Sequence, residues 1–255
     1  MSDGAWDFWI DRGGTFTDVV ARDPEGALHT AKLLSESDRY ADAALQGIRD
    51  FLGLGPDAPI PAGRVRAVKM GTTVATNALL ERKGDRLALV TTKGLRDQLR
   101  IAYQNRPRLF DREIVPPEML YERVIEADER MRVDGAVERP LDEAALLEAL
   151  ADAKAAGIDA VAIVFLHGWR HARHERRAAE IAREAGFGQV SVSHEVSALM
   201  KMVSRGDTTV VDAYLSPVLR RYVDRVAAAF EGAQQVADLL RLGVLLVELF
   251  AWSDH

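Results

Sequence analysis

The residues of this chain that are best suited to chemistry surround a pair of glycines near the amino terminus. Gly13 and Gly14 have no Cβ and can take positive φ, so their backbone N–H groups can approach a bulky anion closely. A carboxylate can hold a hydrated Mg²⁺ ion, and threonine hydroxyls can donate to phosphate oxygens. The candidate nucleotide-binding residues are Asp11, Gly13, Gly14, Thr15, Thr17 and Asp18. The alternative is an ordinary hairpin with two glycines at its corner and Asp11 as a turn former.

The segments on either side of these glycines have the pattern of β-strands. An apolar run that ends at Asp11 and a second run that resumes at Phe16 predict a tight strand-turn-strand hairpin. Leu28–Leu33 alternates well enough to form a third antiparallel strand. The chain therefore begins with a predicted three-stranded meander, and the glycines occupy its first corner.

Two threonines provide a second candidate contact for an anion. Thr72 and Thr73 lie between a predicted strand, Val65–Met70, and a predicted helix, Val74–Lys83. Their hydroxyls and the first N–H groups of the helix would face one point in space, where an anion could sit. A plain N-cap is the alternative. Asn77 lies on the same side of the helix, where it could contact a substrate amide or serve as a capping partner.

Positive charges are concentrated in a long polar segment, residues 93–117. A guanidinium binds a carboxylate through two parallel hydrogen bonds, which suits a small acidic substrate. Arg106 and Arg108 are the candidate substrate-binding residues of this segment. A solvated connecting loop with surface arginines is the alternative.

Histidines raise two further questions about sites. His167, His171 and His174 are close together in the sequence, but their neighbours are mostly arginines, which would repel a metal cation. We therefore expect a surface loop there and no metal site. His194 and Glu195 follow a predicted strand, and ligands gather at the carboxyl ends of strands in α/β proteins, so either side chain could reach a site.

The remainder of the chain is predicted to contain both strands and helices. Glu122–Glu138, with Asp-Gly at its centre, has the pattern of a hairpin, and Asp142 is expected to cap the next helix. Ile158–Leu166 is nearly all apolar, as in a parallel strand that is covered on both faces. Asp207 is expected to cap a long helix that Pro217 kinks.

The composition is that of an ordinary globular protein, with 48% hydrophobic and 28% charged residues among 255. The net charge of -6 argues against nucleic acid as a partner, because nucleic-acid-binding proteins usually carry a basic patch. The absence of cysteine excludes disulfides, thiolate nucleophiles and cysteine-based zinc sites. There is no secretion signal and no apolar stretch of membrane-spanning length, so we expect a cytoplasmic protein without a membrane partner.

Several segments, in order from about residue 8 to about residue 230, together resemble the hydantoinase/oxoprolinase family. The first of them also resembles the first phosphate motif of the actin, sugar-kinase and heat-shock ATPase superfamily. The segments that carry the resemblance are Asp11–Asp18, Lys32–Glu36, Met70–Gly84, Ile101–Pro107 and Met200–Thr209.

The resemblance implies a fold, a reaction and a set of cofactors. The fold would be an α/β, ribonuclease-H-like first lobe with an additional α/β segment. The reaction would be the ATP-dependent opening of 5-oxo-L-proline to L-glutamate, with ADP and phosphate as the other products and with Mg²⁺ and K⁺ as cofactors. Catalytic roles would belong to Asp11, Thr72 and Thr73. Asp11 would orient the hydrated metal, and Asp18 would interact with the residues that hold the metal without contacting it directly.

Other activities are compatible with the same resemblance. A member of the family could act on hydantoins or carboxylate ketones, and a non-catalytic actin-like module could bind nucleotide alone. The wording of Lys32–Glu36 and of residues 77–84 favours the oxoprolinase form. The implied partners are a cyclic amide, a second copy of the chain, or a second, hydantoinase-B-like subunit or domain.

Similarity divides the chain into a family domain, residues 6–205, the start of a following domain, 206–230, and a leucine-rich tail, 231–255. The tail does not resemble the family, and its charged residues exclude a membrane span. We expect a truncation there, and a tail that folds back as a helix or drives self-association. Because the superfamily holds nucleotide between two lobes, we also expect this chain to be inactive alone.

Alanine at Arg106 or Arg108 tests the proposed contact with a substrate carboxylate. In a full-length relative, either change should raise the KM for 5-oxoproline by about tenfold, because a charge-assisted hydrogen bond is lost. Any uncoupled ATP hydrolysis should stay intact. Steady-state kinetics of both activities checks this, and an equal loss of both would point to a folding defect.

Overall fold

The structure is a computed structural model that describes residues 4–104, 110, 118–231 and 240–242. The chain forms two compact units, one made of Met1–Glu81 with Leu219–His255 and the other of Arg82–Val218. Each unit is described by itself. The boundaries predicted by similarity, at residues 205 and 230, do not coincide with these units and stay a prediction.

The first unit begins with the predicted meander. Its strands are β1 (Trp6–Arg12), β2 (Phe16–Arg22) and β3 (Leu28–Leu34), and each pairs with the next in antiparallel orientation. Phe8 and Ile10 of β1 are buried on one face of the sheet, and Val19 and Ala21 of β2 are buried beside them. The alternation of apolar and polar residues therefore sets which face of the sheet forms the core.

A capped helix packs against this meander. Helix α1 spans Ala43–Leu52, and the Asp42 carboxylate accepts hydrogen bonds from the backbone N of Ala44 and Leu45 at 2.9 and 3.1 Å. These bonds satisfy N–H groups that a helix start leaves free. Gly53 closes the helix in a left-handed conformation with φ of 65°.

The chain then builds a strand that leads into a second helix. The elements are β4 (Ile60–Pro61), a short 3-10 helix (Ala62–Arg64), β5 (Val65–Thr72) and α2 (Val74–Leu80). The predicted helix end at Lys83 is therefore three residues too late. Arg82 takes a positive φ of 56°, which is incompatible with continuing the helix.

The second unit contains a four-stranded sheet and the helices around it. Its elements are β6 (Leu87–Thr92), α3 (Gln98–Ile101), β7 (Arg123–Ala127), β8 (Arg130–Met131), β9 (Val137–Arg139), α4 (Glu143–Ala155), β10 (Ala160–Val164), α5 (Arg173–Glu184), β11 (Gln189–Val192) and α6 (Ser193–Val196). The sheet has the order β11-β10-β6-β7 and every pairing in it is parallel. All five residues of β10 are buried, which confirms the predicted central parallel strand.

The hairpin predicted over Glu122–Glu138 is wrong in its extent. Only β8 and β9 form an antiparallel pair, with Gly135 at a φ of 87° in their turn. The residues before them form β7, which pairs in parallel with β6. Sequence alternation alone does not distinguish a strand that pairs with its neighbour in the chain from one that joins a distant strand. The predicted helix cap at Asp142 is confirmed, since its carboxylate accepts from the backbone N of Ala145 at 3.0 Å.

A long helix follows, and the predicted cap at Asp207 is wrong. Helix α7 spans Met202–Ala228, so Asp207 lies inside it. The helix begins earlier because Val203 and Arg205 are buried, and their packing fixes the first turn. Pro217 lies within the helix, as predicted. In the part of the chain that the structure describes, no helix is both long enough and apolar enough to cross a membrane.

The chain returns to the first unit after Val218 and adds two short strands there. Strand β12 (Phe230–Glu231) pairs with β4, and β13 (Leu240–Leu242) pairs with β5, both in parallel. The larger sheet therefore has the order β13-β5-β1-β2-β3, in which β2 alone runs opposite to the others. The helix predicted for the tail is wrong for residues 240–242, and the rest of the tail lies outside the described residues.

Asp7 is a buried carboxylate at the start of β1. Arg22 Nε donates to its Oδ2 at 3.0 Å and Arg66 Nε donates to its Oδ1 at 2.9 Å. The side chain of Asp7 is 7% exposed, whereas those of the two arginines are about half exposed. The hydrogen bonds from Arg66 and Arg22 lower the pKa of Asp7 from its ordinary value of 3.8 to about 2.

Asp7→Asn is expected to lower the free energy of unfolding by about 1 to 2 kcal/mol at pH 7, less than the full linkage value because the arginines are half exposed. The pKa of Asp7 is lower in the folded state, so its charge stabilises the fold above about pH 4. That contribution disappears as the pH falls from about 4 towards 2. Urea unfolding at several pH values between about 3 and 7 measures the difference.

Asp38→Asn is the matched control, because it removes the same charge from an exposed position in the same unit. It should change the free energy of unfolding by less than about 0.5 kcal/mol. An Asp7→Asn effect that equals the control, or that does not shrink in acid, would contradict the assignment.

Candidate functional site

The turn between β1 and β2 is held by hydrogen bonds to its carbonyl groups. Gly13 N donates to Phe16 O at 3.0 Å, which closes the turn. Ser35, just after β3, donates from its backbone N to Thr15 O at 2.8 Å and from its hydroxyl to Gly13 O at 2.7 Å. Two carbonyl groups of the turn are therefore directed at Ser35.

The two glycines are needed for space and not for positive φ. Neither Gly13 nor Gly14 has a left-handed φ, which corrects that part of the prediction. A Cβ on Gly13 would lie 2.9 Å from Phe16 O, and one on Gly14 would lie 3.4 Å from Asn77 Nδ2. The first contact is too close for any other residue type. The second shows that the amide of Asn77, on α2, lies beside the turn.

The donors of the turn are left without partners. Within the described ranges, no acceptor lies within hydrogen-bond reach of the backbone N–H groups of Gly14 and Thr15 or of the Thr15 hydroxyl. The side-chain amide of Asn77 likewise makes no hydrogen bond to any residue that the structure describes. Gly14 and Thr15 are exposed. A group of unpartnered hydrogen-bond donors of this kind suits an anion with several oxygens.

Thr17 and Asp18 are placed differently from the other candidates. Thr17 is fully buried and its hydroxyl lies 3.0 Å from Ser35 Oγ, which argues against the predicted contact with a phosphate. Asp18 is exposed, and Lys32 Nζ donates to its two oxygens at 2.7 and 2.9 Å. It lies directly across the β1–β2 pair from Asp11. Both residues are therefore near the turn, but their polar atoms are already engaged.

Asp11 is the free carboxylate of the site. It pairs in register with Gly71 of β5, and a Cβ on Gly71 would lie 3.7 Å from Asp11 Oδ1. Asp11 is exposed, and nothing in the described part of the chain forms an ion pair or side-chain hydrogen bond with it. The carboxylate therefore stands at the carboxyl end of β1, three residues before Gly14 in the chain, without a partner among the residues that the structure describes.

The two threonines fasten the end of β1 to the start of α2. Thr73 donates to Arg12 O from its backbone N at 3.1 Å and from its hydroxyl at 3.2 Å. The Thr72 hydroxyl accepts from Val74 N at 3.2 Å, which is the capping role considered as the alternative. Its own proton remains available for donation. Thr72 thus keeps one free donor at the carboxyl end of β5, and Thr73 is a structural link.

Sequence reasoning missed two residues that shape this site, Ser35 and Arg12. Ser35 lies within a segment that carried the family resemblance, but nothing in its type or spacing indicated three bonds to the turn. The Arg12 guanidinium stacks on the ring of Tyr222 at 5.4 Å and lies 3.7 Å from Asp42 Oδ2. Burial raises the pKa of Tyr222. These contacts join residues far apart in the sequence, which leaves no local signal.

The predicted substrate arginines, Arg106 and Arg108, lie outside the described residues. Nearby positions of the same segment line a cavity of about 360 Å³ in the second unit. Its charged lining residues are Arg96, Asp97, Arg100, Glu118 and Glu122. This mixture of signs does not favour a carboxylate over a cation, so the described part of the segment adds no support for the predicted contact.

Two histidines of the second unit, His174 and His194, contact buried glutamates. His174 Nδ1 lies 2.7 Å from Glu129 Oε2, and both side chains are buried. His194 Nδ1 lies 2.7 Å from Glu175 Oε2. Burial lowers the pKa of His167. No set of three metal-ligating side chains is found among the described residues.

Glu175 is the centre of the larger network. Its Oε1 accepts from Phe165 N at 2.8 Å and from the Ser193 hydroxyl at 2.6 Å. Arg205 Nε donates to Ser193 Oγ at 2.8 Å, so a buried cation lies on the other side of the same hydroxyl. The network ties the ends of β10 and β11 to α7. His194 is part of it, and a contact of His194 or Glu195 with a ligand stays a prediction.

Comparison with known proteins gives a consistent family. Residues 7–186 match the hydantoinase/oxoprolinase N-terminal region. 5-oxoprolinase 1 of Arabidopsis thaliana is 39% identical over 273 residues, which cover 96% of this chain and 21% of that protein. Caprolactamase subunit alpha of Pseudomonas jessenii is 38% identical over 246 residues, which cover 92% of this chain and 35% of that protein.

Solved structures agree with this match. The crystal structure of ATP-dependent caprolactamase from Pseudomonas jessenii has a TM-score of 0.72 at 34% identity, and the match covers 89% of this chain and 34% of that one. The nucleotide-free structure of acetone carboxylase has a TM-score of 0.66 at 24% identity, over 89% of this chain and 34% of that one, which is a likeness of fold alone.

The chain spans about a fifth of the length of the curated 5-oxoprolinases that it matches. The match begins near Asp7 and includes the glycine turn, both threonines and Asn77. On these grounds the chain belongs to the hydantoinase/oxoprolinase family, and its sequence corresponds to the N-terminal region of that family.

Proposed function

We propose that this chain supplies the phosphate-binding lobe of an ATP-dependent cyclic amide hydrolase of the 5-oxoprolinase type. The observation that carries the proposal is the juxtaposition of unpaired donors and an unpaired carboxylate at one sheet edge. The N–H groups of Gly14 and Thr15 have no acceptor within the described ranges, and Asp11 stands beside them at the end of β1. Donors of this kind bind phosphate oxygens, and a free carboxylate binds the cation that accompanies them.

The surroundings of Asp11 fit Mg²⁺ better than a metal bound by protein alone. No cluster of three ligating side chains exists in the described part of the chain, so Asp11 would hold the ion together with phosphate oxygens and water. Mg²⁺ commonly binds in this way, because it keeps several waters and takes few protein ligands. Asp18 is neutralised by Lys32 and would act on the ion only through Asp11. K⁺ stays an expectation from the family resemblance.

The architecture supports a ribonuclease-H-like lobe as part of the proposal. A three-stranded antiparallel meander is followed by a helix and then by β5, which runs parallel to β1. The proposed site lies at the carboxyl ends of β1 and β5, which is where ligands gather in α/β sheets.

The proposed reaction needs activation because an unstrained amide is a poor electrophile. ATP, when bound, supplies a phosphoryl group that turns the amide oxygen into a leaving group. The turn would hold the phosphate oxygens through Gly14 and Thr15. The Thr72 hydroxyl could donate its free proton to the same phosphate oxygens. Thr73 would hold the Thr72 segment in place through its two hydrogen bonds to Arg12 O.

Two cyclic amides are candidate substrates. A 5-oxoprolinase and a caprolactamase match this chain at nearly equal identity, so a larger lactam is the second candidate substrate. Because one relative is a subunit alpha, we propose a second subunit or domain as a partner. The likeness to acetone carboxylase, at 24% identity, carries no argument about activity.

Asp11→Asn tests the role of the free carboxylate. In a full-length relative, the change should lower ATP turnover by about two to three orders of magnitude, the scale seen when one electrostatic contact at a reacting centre is removed. Phosphate release in the presence of Mg²⁺ and 5-oxoproline, and then caprolactam, measures the rate and separates the two candidate substrates.

Asp57→Asn provides the control, since Asp57 is an exposed carboxylate elsewhere in the same unit. It should leave turnover within about twofold of the parent, as expected of an exposed site remote from the chemistry. An Asp11→Asn variant with an unchanged rate would reduce Asp11 to a turn residue.

A further inference from the structure

Ser35 makes more bonds to the glycine turn than any candidate site residue does. It is 4% exposed and follows directly after β3. Its backbone N donates to Thr15 O at 2.8 Å, its hydroxyl donates to Gly13 O at 2.7 Å, and the same hydroxyl lies 3.0 Å from Thr17 Oγ1. One buried residue thus contacts both ends of the Gly13–Thr15 segment, through its backbone N at Thr15 and its hydroxyl at Gly13.

The direction of each hydrogen bond follows from counting protons. A serine hydroxyl has one proton, and the Ser35 hydroxyl donates it to Gly13 O. In the Thr17–Ser35 pair, Thr17 must therefore be the donor and Ser35 the acceptor. Thr17, Ser35 and Gly13 form a chain of bonds with a single direction. This gives the buried Thr17 hydroxyl a role, because it fixes the rotamer of the Ser35 hydroxyl.

The bond to Gly13 O sets the direction of the Gly14 N–H group. In a trans peptide the C=O and N–H of one peptide unit point in opposite directions, and the described residues contain no cis peptide. Since Gly13 O points at Ser35, the Gly14 N–H points away from it. The same N–H has no acceptor in the part of the chain that the structure describes.

A peptide between two glycines is unusually free to rotate, because neither residue has a Cβ to restrict it. Rotation of this peptide by half a turn would present Gly13 O to an incoming phosphate and hide the Gly14 N–H. An anion would then meet an acceptor in place of a donor. The Ser35 hydroxyl is the group that selects the donor-outward orientation.

We propose that Ser35 is a positioning residue, which orders the Gly13–Gly14 peptide so that the Gly14 N–H faces a nucleotide phosphate. The proposal rests on the proposed function of the turn as a phosphate site. It adds that Ser35 determines whether a donor or an acceptor of the Gly13–Gly14 peptide faces the phosphate. It also assigns the Thr17 hydroxyl to the same chain of hydrogen bonds.

Ser35→Ala in this 255-residue chain tests the proposal, with Ser37→Ala as the matched control from the same segment. Amide NMR reports the order parameter of the Gly14 N–H, and titrations with Mg-ATP and with inorganic phosphate report affinity. We expect Ser35→Ala to lower the Gly14 order parameter. It should also weaken Mg-ATP binding by about tenfold, because the Gly14 N–H would no longer be held towards the phosphate and one hydrogen bond would be lost. Ser37→Ala should change neither.

Further variants separate positioning from general stability. Thr17→Val removes the donor to Ser35 and should give a smaller effect of the same kind, whereas Ser35→Thr keeps the hydroxyl and should restore both the Gly14 signal and the affinity. The midpoint of thermal unfolding is measured for each variant. Weakened binding in Ser35→Ala with an unchanged Gly14 order parameter would overturn the proposal, as would failure of both readouts to change.

The test also distinguishes this proposal from the proposed function. If the unsubstituted chain binds neither Mg-ATP nor phosphate, the assignment of the turn as a phosphate site in this chain fails. The Gly14 order parameter still decides whether Ser35 orders the peptide. If nucleotide binds and Ser35→Ala leaves the Gly14 amide ordered, the phosphate site stands and Ser35 has no positioning role.

Discussion

The parallel pairing of β1 with β5 is the constraint on which the candidate site depends. Its register places Asp11 beside Gly71 and Arg12 beside Thr72, so two segments far apart in the chain end at one sheet edge. The carboxyl end of β1 runs into the glycine turn, and that of β5 runs through Thr73 into α2. A shift of one residue would move Asp11 to the core face, because side chains alternate between the two faces of a strand.

Local sequence was sufficient for the elements that position the site. The meander, the cap at Asp142 and the buried strand β10 follow from alternation, helix-boundary residues and apolar runs, which are properties of neighbouring residues. The glycine turn was also found, although for an incomplete reason. Gly13 is required by the closeness of Phe16 O and not by a positive φ, and that closeness depends on the folded turn.

The residues that sequence reasoning missed act through tertiary contacts. Ser35 reaches the turn from the position just after β3, and Arg12 of β1 stacks on Tyr222, which belongs to a helix late in the chain. The errors have the same origin. The helix expected to begin at Asp207 begins at Met202, because Arg205 is buried and its packing fixes the first turn. The first part of the hairpin expected over residues 122–138 is β7, which pairs in parallel with β6. In each case a local pattern was overruled by a partner that the sequence does not reveal.

The first unit is made of two pieces of chain, and residues 82–218 lie between them in sequence. On the ribosome, the strands that carry the glycine turn emerge well before Tyr222, Val226 and Phe230, which belong to the same apolar core. The second unit is contiguous and can complete its core first. The nascent chain must therefore carry an unfinished sheet, whose apolar face α1 covers only in part, through the synthesis of the whole second unit. Its demand on chaperones is set by this order of synthesis, and slow folding of the second unit would prolong it.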